Sequence, residues 1–455
     1  MPKILSEIVA NRKRHLDVIR ERVGHVTFAT LRYSERSLYD ALAAPGASYI
    51  MECKSASPSL GTIRADYKPG EIASVYSRYA SAISVLCEPD YFDGDYDHLA
   101  TVAASTHLPV LCKDFIVDEV QIYAARYFGA DAVLLMLSVL SDDEYAHLSS
   151  IAASLHMDVL TEVIDEEEAA RAAELGAKIF GVNHRNLHDL SIDLDRSARL
   201  AELAPDGAVV VAESGIRDAA TVRRLGGHSD AFLVGSQLTS QPDIDRACRE
   251  LIYGPNKVCG LRSASAAQAA KAAGAVYGGL IFEDASPRNV SRETAAEIVS
   301  AEPDLEYVAV SRRTHGFDEL LQHGISAVQV HAPYQGSLEG ERDLIERVRS
   351  EVGPALQVWR AVDMTRDVPV EGVAELVDKL VLDTGAGGTG ETFDWSRITT
   401  TDALLAGGLN PSNLEVALRT GCLGLDLNSG FEDPRGHKDA AALREGFRTI
   451  RNFHY

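Results

Sequence analysis

Cysteine is scarce in this sequence: the chain of 455 residues has six, and none of them forms a C-x-x-C pair. This scarcity argues against a disulfide-stabilised scaffold and against a zinc ribbon. Long apolar segments are also missing, because the longest run, residues 132–140, is far too short to span a bilayer. Residues 1–15 lack the apolar core of a signal peptide. We therefore expect a soluble protein of the reducing cytoplasm that does not bind membranes.

The chain also lacks a basic cluster. Its 67 acidic residues outnumber the 44 basic ones, which gives a formal net charge of -23. Such an excess of negative charge repels a phosphate backbone. The most basic stretch, residues 11–22, includes Asp17 and Glu21 at helical spacing and predicts a solvated helix face. The sequence therefore predicts no nucleic-acid partner.

What the sequence does contain is a repeated pattern of short apolar runs separated by helical segments. The runs recur about every 25 residues, and the segments between them carry acidic residues early and a glycine near the end. In the first half the pattern predicts eight strands, at residues 47–54, 82–88, 109–115, 132–137, 158–163, 179–184, 209–214 and 231–236. In the second half it predicts eight more, at residues 257–261, 277–282, 306–311, 327–331, 357–362, 379–383, 403–408 and 424–429.

Continuous apolar strands, each followed by a helix, are typical of parallel sheets that are buried on both faces. Eight such units favour closure into a barrel. The sequence therefore predicts an α/β fold of two tandem (β/α)8 TIM barrels, with a first domain over residues 1–254 and a second over residues 255–455.

Polar residues follow several strands of the first predicted barrel, at the end where (β/α)8 enzymes place their active sites. In chain order they are Glu52, Lys54, Lys113, Glu162, Asn183, Arg185 and Ser214. Any one of these charges can equally be explained as a solvated strand end. As a set they favour one cavity in which lysine and glutamate act as acid and base, since desolvated neighbours shift each other's pKa values.

Small residues end the last two strands of each half. The segments are ESGI (213–216) and VGS (234–236) in the first half, and AGGL (406–409) and NSG (428–430) in the second. Backbone N–H groups at these positions form the usual phosphate site of this fold. Tight turns are the alternative explanation for the glycines. Because the segments fall on the expected pair of strands, we expect phosphorylated small molecules as substrates.

The second half lacks the strand-end lysines. Its candidates are Cys259 after the first strand, Arg288 after the second and Asp383 after the sixth. A thiol and a carboxylic acid on opposite sides of a sugar phosphate can act as base and acid in proton transfer. Cysteine alone is more often a core residue, so both explanations of Cys259 stay open at this point.

The segment LVLDTGAGGTG carries glycines in the G-x-G-x-x-G spacing, at Gly385, Gly387 and Gly390. It lies in the sixth βα unit, and the next strand lacks the acidic residue that would bind a ribose. We therefore predict a flexible loop that closes over substrate beside Asp383, and not a dinucleotide site. A metal site is not predicted either, because His184 and His188 leave a strand for a loop, whereas such a pair binds metal on a helix.

Longer motifs connect both halves with known enzyme families. The first half resembles indole-3-glycerol-phosphate synthase through ECKSASPS, SVLCEPDYFDG, LCKDFIVDEVQI, ADAVLLM, LTEV, GVNHRNL, AESGI and VGS. The second half resembles phosphoribosylanthranilate isomerase through NKVCGL, YGGLIFEDASPRNV, LDTGAGGTGETFDW, LLAGGLNPSN and GLDLNSGFE. Over nearly its whole length the chain is thus similar to fused bifunctional enzymes of tryptophan biosynthesis.

For the second barrel, the resemblance implies an Amadori rearrangement of N-(5-phosphoribosyl)anthranilate to 1-(2-carboxyphenylamino)-1-deoxyribulose 5-phosphate, with no cofactor. Asp383 would protonate the ribose ring oxygen, and Cys259 would remove the C2 proton. Arg288 would hold the anthranilate carboxylate. The phosphate would be bound at Gly407, Gly408, Ser429 and Gly430.

For the first barrel, the resemblance implies closure of the pyrrole ring of that product, with loss of carbon dioxide and water, to give indole-3-glycerol phosphate. Lys113 would be the general acid, Glu162 the general base, and Lys54 a carboxylate-binding group or a second acid. Supporting roles in orienting groups, contacting the aromatic acid and binding phosphate would belong to Glu52, Asn183, Ser57, Arg185, Ser214, Gly215, Gly235 and Ser236.

The sequence departs from the family pattern at a few positions. Ser55 and Ala56 follow Lys54 where another basic residue is usual, Leu60 stands where lysine is common, and Ala332 stands where glycine is usual. These changes predict altered affinity more than altered chemistry. Three alternatives stay open: a second barrel that only supports the first, a Schiff-base aldolase that uses a strand-end lysine as nucleophile, and a phosphate-binding module without catalysis. We expect a monomer.

Overall fold

Two closed barrels of parallel strands make up the computed structural model, which describes residues 3–186, 190–385 and 390–455. In the first barrel, strands β1–β8 are Ser48–Cys53, Ala82–Leu86, Val110–Lys113, Ala132–Met136, Asp158–Val163, Ile179–Asn183, Val209–Glu213 and Ala231–Val234. In the second, β9–β16 are Lys257–Val258, Tyr277–Ile281, Glu306–Ser311, Ile325–Val330, Gln357–Asp363, Lys379–Asp383, Ala403–Leu405 and Gly424–Leu427. The predicted tandem (β/α)8 fold is confirmed.

Each barrel closes by pairing its first strand with its last. Ser48 of β1 aligns with Ala231 of β8, and Lys257 of β9 aligns with Asp426 of β16. All other strands pair in parallel with their neighbours in the chain. Since parallel strands have their carboxyl ends at the same rim, the polar residues that follow them gather at one end of each barrel.

Helices connect the strands of the first barrel and surround it. The α-helices up to the second barrel are Lys3–Arg14, Leu16–Arg22, Leu38–Leu42, Pro69–Tyr76, Pro89–Phe92, Tyr96–Ser105, Glu119–Tyr127, Asp142–Ser154, Glu166–Glu174, Arg196–Ala201, Ala219–Leu225, Ser236–Thr239 and Ile244–Tyr253. A 3-10 turn, Phe28–Thr30, and a hairpin of Ala56–Ser57 with Gly61–Thr62 complete this part. Within the described residues, none of the helices has the length and apolar character that crossing a membrane requires.

The helices of the second barrel are Ala264–Ala273, Arg292–Ala301, Leu338–Val352, Val370–Ala374, Leu414–Leu418 and Ala440–Asn452, with 3-10 turns Phe317–Leu320, Trp395–Arg397 and Ser429–Phe431. The prediction that a helix follows every strand is wrong after β11 and after β14, where the described residues of the connection form only the 3-10 turns Phe317–Leu320 and Trp395–Arg397. In the connection after β11, Gly316 and Gly324 both have positive φ, on either side of the turn Phe317–Leu320.

Two compact units divide the chain, Met1–Cys248 with His454–Tyr455, and Arg249–Phe453. Each has its own apolar core. Ile50, Leu111 and Leu160 are fully buried in the first unit, and Val328, Leu382 and Leu405 are fully buried in the second. Burial of such side chains stabilises the strands by about 1.5–3 kcal/mol each and gives the loops above them a rigid base.

Candidate active sites

A cavity of about 520 Å³ lies at the carboxyl ends of the first-barrel strands. The structure brings together here the residues predicted for this barrel, Glu52, Lys54, Ser57, Lys113, Glu162, Asn183, Arg185, Ser214, Gly215, Gly235 and Ser236. The N-terminal helix Lys3–Arg14 adds apolar side chains to the wall, among them Ile4 and Ile8. The cavity therefore combines a charged floor with an apolar side that an aromatic ring can contact.

Glu52 joins the two lysines of this cavity. Its Oε1 lies 2.8 Å from Lys54 Nζ, and its Oε2 lies 3.0 Å from Lys113 Nζ. Burial alone would raise the pKa of Glu52, but Lys113 and Lys54 together lower it to about 2. Glu52 is therefore an anion near neutral pH and holds both ammonium groups in place.

Glu213 contacts the cavity residue Lys113 and was not predicted from the sequence. It ends β7 with its side chain 1% exposed, and its Oε2 lies 3.3 Å from Lys113 Nζ. Burial would lower the pKa of Lys113, but Glu52 and Glu213 raise it above its ordinary value. Lys113 is thus held as a cation by two carboxylates. The sequence feature that could have indicated Glu213 is its position as a glutamate at the end of an apolar strand, directly before Ser214.

Glu162 has a different environment from Glu52. Burial and the nearby charge of Glu213 raise the pKa of Glu162 to about 8, although Lys113 and Asn183 oppose the rise. Such a carboxyl group can hold or release a proton near neutral pH, as a general acid or base must. The cavity therefore contains one carboxylate that is fixed as an anion and another that can exchange a proton.

The loop after β7 has an unusual backbone. Ser214 and Gly215 both have positive φ, of 68° and 79°. His184 is buried behind this loop, with its Nδ1 3.0 Å from the Ser214 carbonyl oxygen and its Nε2 2.8 Å from Ser197 Oγ. His184 therefore supports the loop, while His188, its partner in the sequence pattern, lies outside the described residues.

The second barrel has a cavity of about 260 Å³ at the equivalent end. Of the residues predicted for this barrel, the structure brings together Cys259, Arg288, Asp383, Gly407, Gly408 and Ser429. Gly430 is not among the lining residues; it follows Ser429 in the turn Ser429–Phe431, and a Cβ there would contact the Leu409 carbonyl oxygen and come within 2.7 Å of Asn410 Cβ. His331 and Asp426 also line the cavity and were not predicted from the sequence.

Asp383 is a buried carboxyl group whose surroundings favour its protonated form. Burial raises its pKa to about 7, and the negative charge of Asp426 contributes to the rise. The hydrogen bond that the Thr384 N–H donates to Asp383 Oδ1, at 2.7 Å, acts in the opposite direction and lowers the pKa. His331 Nε2 lies 3.6 Å from Asp383 Oδ2. Burial, with the positive charge of Lys257, lowers the pKa of His331 to about 4, so this imidazole is neutral. Asp383 can therefore carry a proton close to neutral pH.

Cys259 is 5% exposed and lines the same cavity as Asp383. Burial raises the pKa of the thiol and the charge of Asp426 adds to the rise, while the ammonium groups of Lys257 and Lys438 oppose it. Lys257 is itself fully buried, with its Nζ 2.6 Å from Asp426 Oδ2 and 2.7 Å from Gln329 Oε1. The net pKa lies above its ordinary value, so the resting group is the thiol. Lys257 and Lys438 lower the cost of forming the thiolate, which is the form of cysteine that accepts a proton.

Comparison with known proteins gives a family to each barrel. The sequence model described as indole-3-glycerol phosphate synthase matches residues 5–251, and that described as N-(5'phosphoribosyl)anthranilate (PRA) isomerase matches residues 256–449. The chain belongs to both families, one in each barrel. It is a bifunctional enzyme of tryptophan biosynthesis, with a lyase (the synthase barrel) followed by an isomerase (the isomerase barrel).

Relatives match the chain over its full length. The tryptophan biosynthesis protein TrpCF of Corynebacterium glutamicum is 64% identical over 469 residues, covering 100% of this chain and 99% of the relative. The protein of the same name from Salmonella typhi is 44% identical over 460 residues, covering 100% of both chains. The fused arrangement of the two barrels is thus shared with these relatives.

The positions that depart from the family pattern differ in their relation to the cavities. Ser55 is buried and donates hydrogen bonds to the carbonyl oxygens of Phe92 and Asp93, at 3.3 and 3.2 Å. Leu60 is 62% exposed and lines the synthase cavity. Ala332 is buried beside the isomerase cavity residue His331. Of these changes, the one at Leu60 is therefore placed to meet a ligand of the synthase barrel.

The glycine-rich loop of the isomerase barrel is described only in part. Gly385 and Gly390 have positive φ, of 55° and 78°. The Gly385 N–H donates a hydrogen bond to Asp363 Oδ1 at 2.9 Å. Gly387, on which the predicted spacing also depends, lies outside the described residues. The closing motion of this loop stays a prediction.

Proposed function

We propose that the isomerase barrel supplies the substrate of the synthase barrel, and that the residues gathered in each cavity catalyse its reaction. The observation that carries the proposal is a matched acid and base in each cavity: Asp383 with Cys259, and Lys113 with Glu162. We propose residues 1–254 and 255–455 as the two catalytic domains, acting in a monomer. The family matches over 5–251 and 256–449 support these limits.

In the isomerase barrel, Asp383 donates its proton to the ribose ring oxygen as the ring C–O bond breaks. The nitrogen lone pair forms the C1=N bond, so no other electron source is needed. Cys259, whose thiolate form Lys257 stabilises, then removes the C2 proton to give an enolamine, which tautomerises to the ketone. Arg288 binds the anthranilate carboxylate, and the backbone N–H groups at Gly407, Gly408, Ser429 and Gly430 bind the phosphate.

In the synthase barrel, Lys113 protonates the ketone oxygen while the aromatic carbon that bears the carboxylate attacks the carbonyl carbon. Loss of carbon dioxide restores the aromatic ring. The hydroxyl group then takes up a proton from the second acid, for which Lys54 is the candidate, and leaves as water, while Glu162 accepts the proton lost from the adjacent ring CH2. Before carbon dioxide is lost, Lys54 can also bind the substrate carboxylate. Ser57 and Arg185 contact the aromatic acid, Glu52 and Asn183 orient the reacting groups, and the phosphate is bound at Ser214, Gly215, Gly235 and Ser236.

A time course with one substrate tests this proposal. Purified full-length chain receives fresh N-(5-phosphoribosyl)anthranilate without added metal or nucleotide, and mass spectrometry follows the products. We expect the carboxyphenylamino-deoxyribulose phosphate to form first and indole-3-glycerol phosphate to follow. Accumulation of the first product alone would contradict the synthase assignment, and unchanged substrate would contradict the isomerase assignment.

Gly181 gives a prediction about the space around Glu213. Gly181 lies on β6 beside Glu162, and a Cβ there would contact Glu213 Oε1 and lie 3.2 Å from Leu160 Cδ1. We expect Gly181→Ala to displace the Glu213 carboxylate from Lys113. Overpacking of this kind destabilises by about 1–3 kcal/mol, and misplaced catalytic groups lose activity by about tenfold or more.

The measurement for Gly181→Ala is the rate of both reactions in the same preparation. Only the synthase rate should fall. Gly227→Ala is the matched control, because the nearest atom to its new Cβ is the Tyr455 carbonyl oxygen at 3.3 Å. Equal loss of both activities in Gly181→Ala would contradict a local effect on Glu213.

The raised pKa of Glu162 predicts that the free energy of unfolding falls as the pH rises. Its pKa is about 8 in the folded chain against an ordinary value of 4.5, so below pH 4.5 both folded and unfolded forms are protonated. As the pH rises from 4.5 to 8, the unfolded carboxyl ionises while the folded one keeps its proton, and stability falls by up to about 1.4 kcal/mol per pH unit. Glu162→Gln should therefore be more stable than the parent chain at pH 8, with a smaller difference at pH 5.

Calorimetric unfolding at the two pH values measures this difference. The same variant should lose synthase activity, since glutamine cannot accept the proton. Glu167→Gln, at an exposed position of the helix Glu166–Glu174, controls for a general effect of losing a carboxylate. A Glu162→Gln chain that is less stable than the parent at pH 8 would contradict the environment described for Glu162.

A further inference from the structure

Arg288 is already held by a carboxylate of its own barrel. Its Nε lies 2.8 Å from Glu432 Oε1, and its Nη2 lies 2.9 Å from Glu432 Oε2. Two parallel charge-assisted contacts of this kind fix the plane of a guanidinium group. Because the group has five N–H donors, the opposite edge, formed by Nη1 and the second N–H of Nη2, faces away from Glu432.

The charge of Glu432 has a second partner, Lys438. The Lys438 side chain is 1% exposed, and its Nζ lies 2.6 Å from Glu432 Oε1. The same ammonium group donates to Asn428 Oδ1 at 2.9 Å and to the Asn428 carbonyl oxygen at 3.1 Å. Asn428 lies directly before Ser429, at the proposed phosphate loop. Lys438 therefore links the residue that orients Arg288 with the loop that binds the phosphate.

The formal charges of Arg288, Glu432 and Lys438 determine how this group attracts an anionic ligand. Arg288 and Glu432 alone would form a neutral pair, and a neutral pair has little net attraction for an anionic ligand. Lys438 adds one positive charge, so the three groups together carry a net charge of +1. This charge is opposite in sign and equal in size to that of one carboxylate. The Glu432 carboxylate is 7% exposed, so water screens these charges only weakly.

We propose that Lys438 is a positioning residue for substrate binding: it neutralises Glu432, so that Arg288, oriented by Glu432, keeps its positive charge for the anthranilate carboxylate. This inference rests on the proposed function of the isomerase barrel and adds a determinant of substrate specificity to it. Lys438 does not touch the reacting atoms in this account. It acts through Glu432 and Arg288.

Two stable inhibitors test the proposal. One is 1-(2-carboxyphenylamino)-1-deoxyribitol 5-phosphate, and the other is 1-phenylamino-1-deoxyribitol 5-phosphate, which lacks only the carboxylate. Both are used as competitive inhibitors of the isomerase reaction of the full-length chain, so that binding to the synthase barrel is not measured. The ratio of their inhibition constants isolates the carboxylate, because any change at the phosphate loop affects both compounds alike.

The variant Lys438→Gln keeps a hydrogen-bond donor and removes the charge. We expect it to reduce the preference for the carboxylated inhibitor by about 10- to 100-fold, the range of a hydrogen bond to a charged group. The double variant Glu432→Gln with Lys438→Gln removes both charges and leaves Arg288 as a single cation. We expect it to recover most of the lost preference, and it keeps the test valid if the single variant folds poorly.

If Arg288, Glu432 and Lys438 only stabilise the fold, the double variant should show a smaller preference for the carboxylated inhibitor than Lys438→Gln, because a second substitution would weaken binding further. Lys271→Gln is the matched control, because Lys271 lies in the same barrel with its Nζ 3.5 Å from Asp304 Oδ2 and outside the cavity. An unchanged preference in Lys438→Gln, or a double variant worse than the single one, overturns the inference. Failure of the parent chain to convert the substrate would instead overturn the proposed function itself.

Discussion

Methionine in place of Lys113 is expected to slow the formation of indole-3-glycerol phosphate by about a hundredfold to ten thousandfold, the usual contribution of a positioned acid. The reason is the charge that develops on the ketone oxygen when the aromatic carbon attacks. Lys113 is the cation that Glu52 and Glu213 hold in the cavity, at 3.0 and 3.3 Å from its Nζ. The isomerase activity should be unchanged, so that the carboxyphenylamino-deoxyribulose phosphate accumulates when N-(5-phosphoribosyl)anthranilate is supplied.

The control for this variant is Lys178→Met. Lys178 is exposed and precedes Ile179, at the opposite end of β6 from the cavity. Both rates should stay at the parent value in this control. Substantial synthase activity in Lys113→Met would exclude Lys113 as the essential acid and direct attention to Lys54.

The same residue separates acid catalysis from the Schiff-base alternative. A lysine nucleophile must be a neutral amine, whereas two carboxylates raise the pKa of Lys113. Borohydride reduction in the presence of the deoxyribulose phosphate should therefore leave no covalent adduct on the parent chain. A mass increase at Lys113 would favour the aldolase-like mechanism.

The fold could be predicted from sequence because it depends on local information. Each strand is a short apolar run that is buried on both faces, and its length and spacing can be read without knowledge of its partners. The prediction was wrong after β11 and β14, where the described residues of the connection form only the 3-10 turns Phe317–Leu320 and Trp395–Arg397. Apolar runs mark the strands but do not determine which structure the connection between two strands forms.

The polar residues at the strand ends could also be predicted, because their place follows from the position of each strand in the sequence. The residues that hold them in place, such as Glu213 and Lys438, could not. Glu213 and Lys113 are 100 residues apart in the chain, and their contact depends on the closure of the barrel. Lys438 lies in a loop before the last helix, far from Arg288 in sequence, so no local pattern connects them. Whether a charged side chain is buried against a partner is a property of the tertiary structure, and pKa shifts follow from it.

Asparagine in place of Asp383 is the second change with a large expected effect. Burial raises the pKa of Asp383 to about 7, so the carboxyl group can donate a proton at neutral pH, and an amide of the same shape cannot. We expect the isomerase rate to fall by about a hundredfold to ten thousandfold. The measurement is the conversion of fresh N-(5-phosphoribosyl)anthranilate, corrected for its spontaneous decay.

The synthase rate of Asp383→Asn, measured with added carboxyphenylamino-deoxyribulose phosphate, should equal that of the parent chain. Asp318→Asn, at an exposed position in the turn Phe317–Leu320, controls for the loss of a carboxylate elsewhere in the same barrel. Retention of isomerase activity in Asp383→Asn would mean that the ring oxygen takes its proton from another group. His331, whose Nε2 lies 3.6 Å from Asp383 Oδ2, would be a candidate. Because the pKa of His331 is lowered to about 4, that route would require an acidic medium, so the pH dependence of the residual rate distinguishes the two donors.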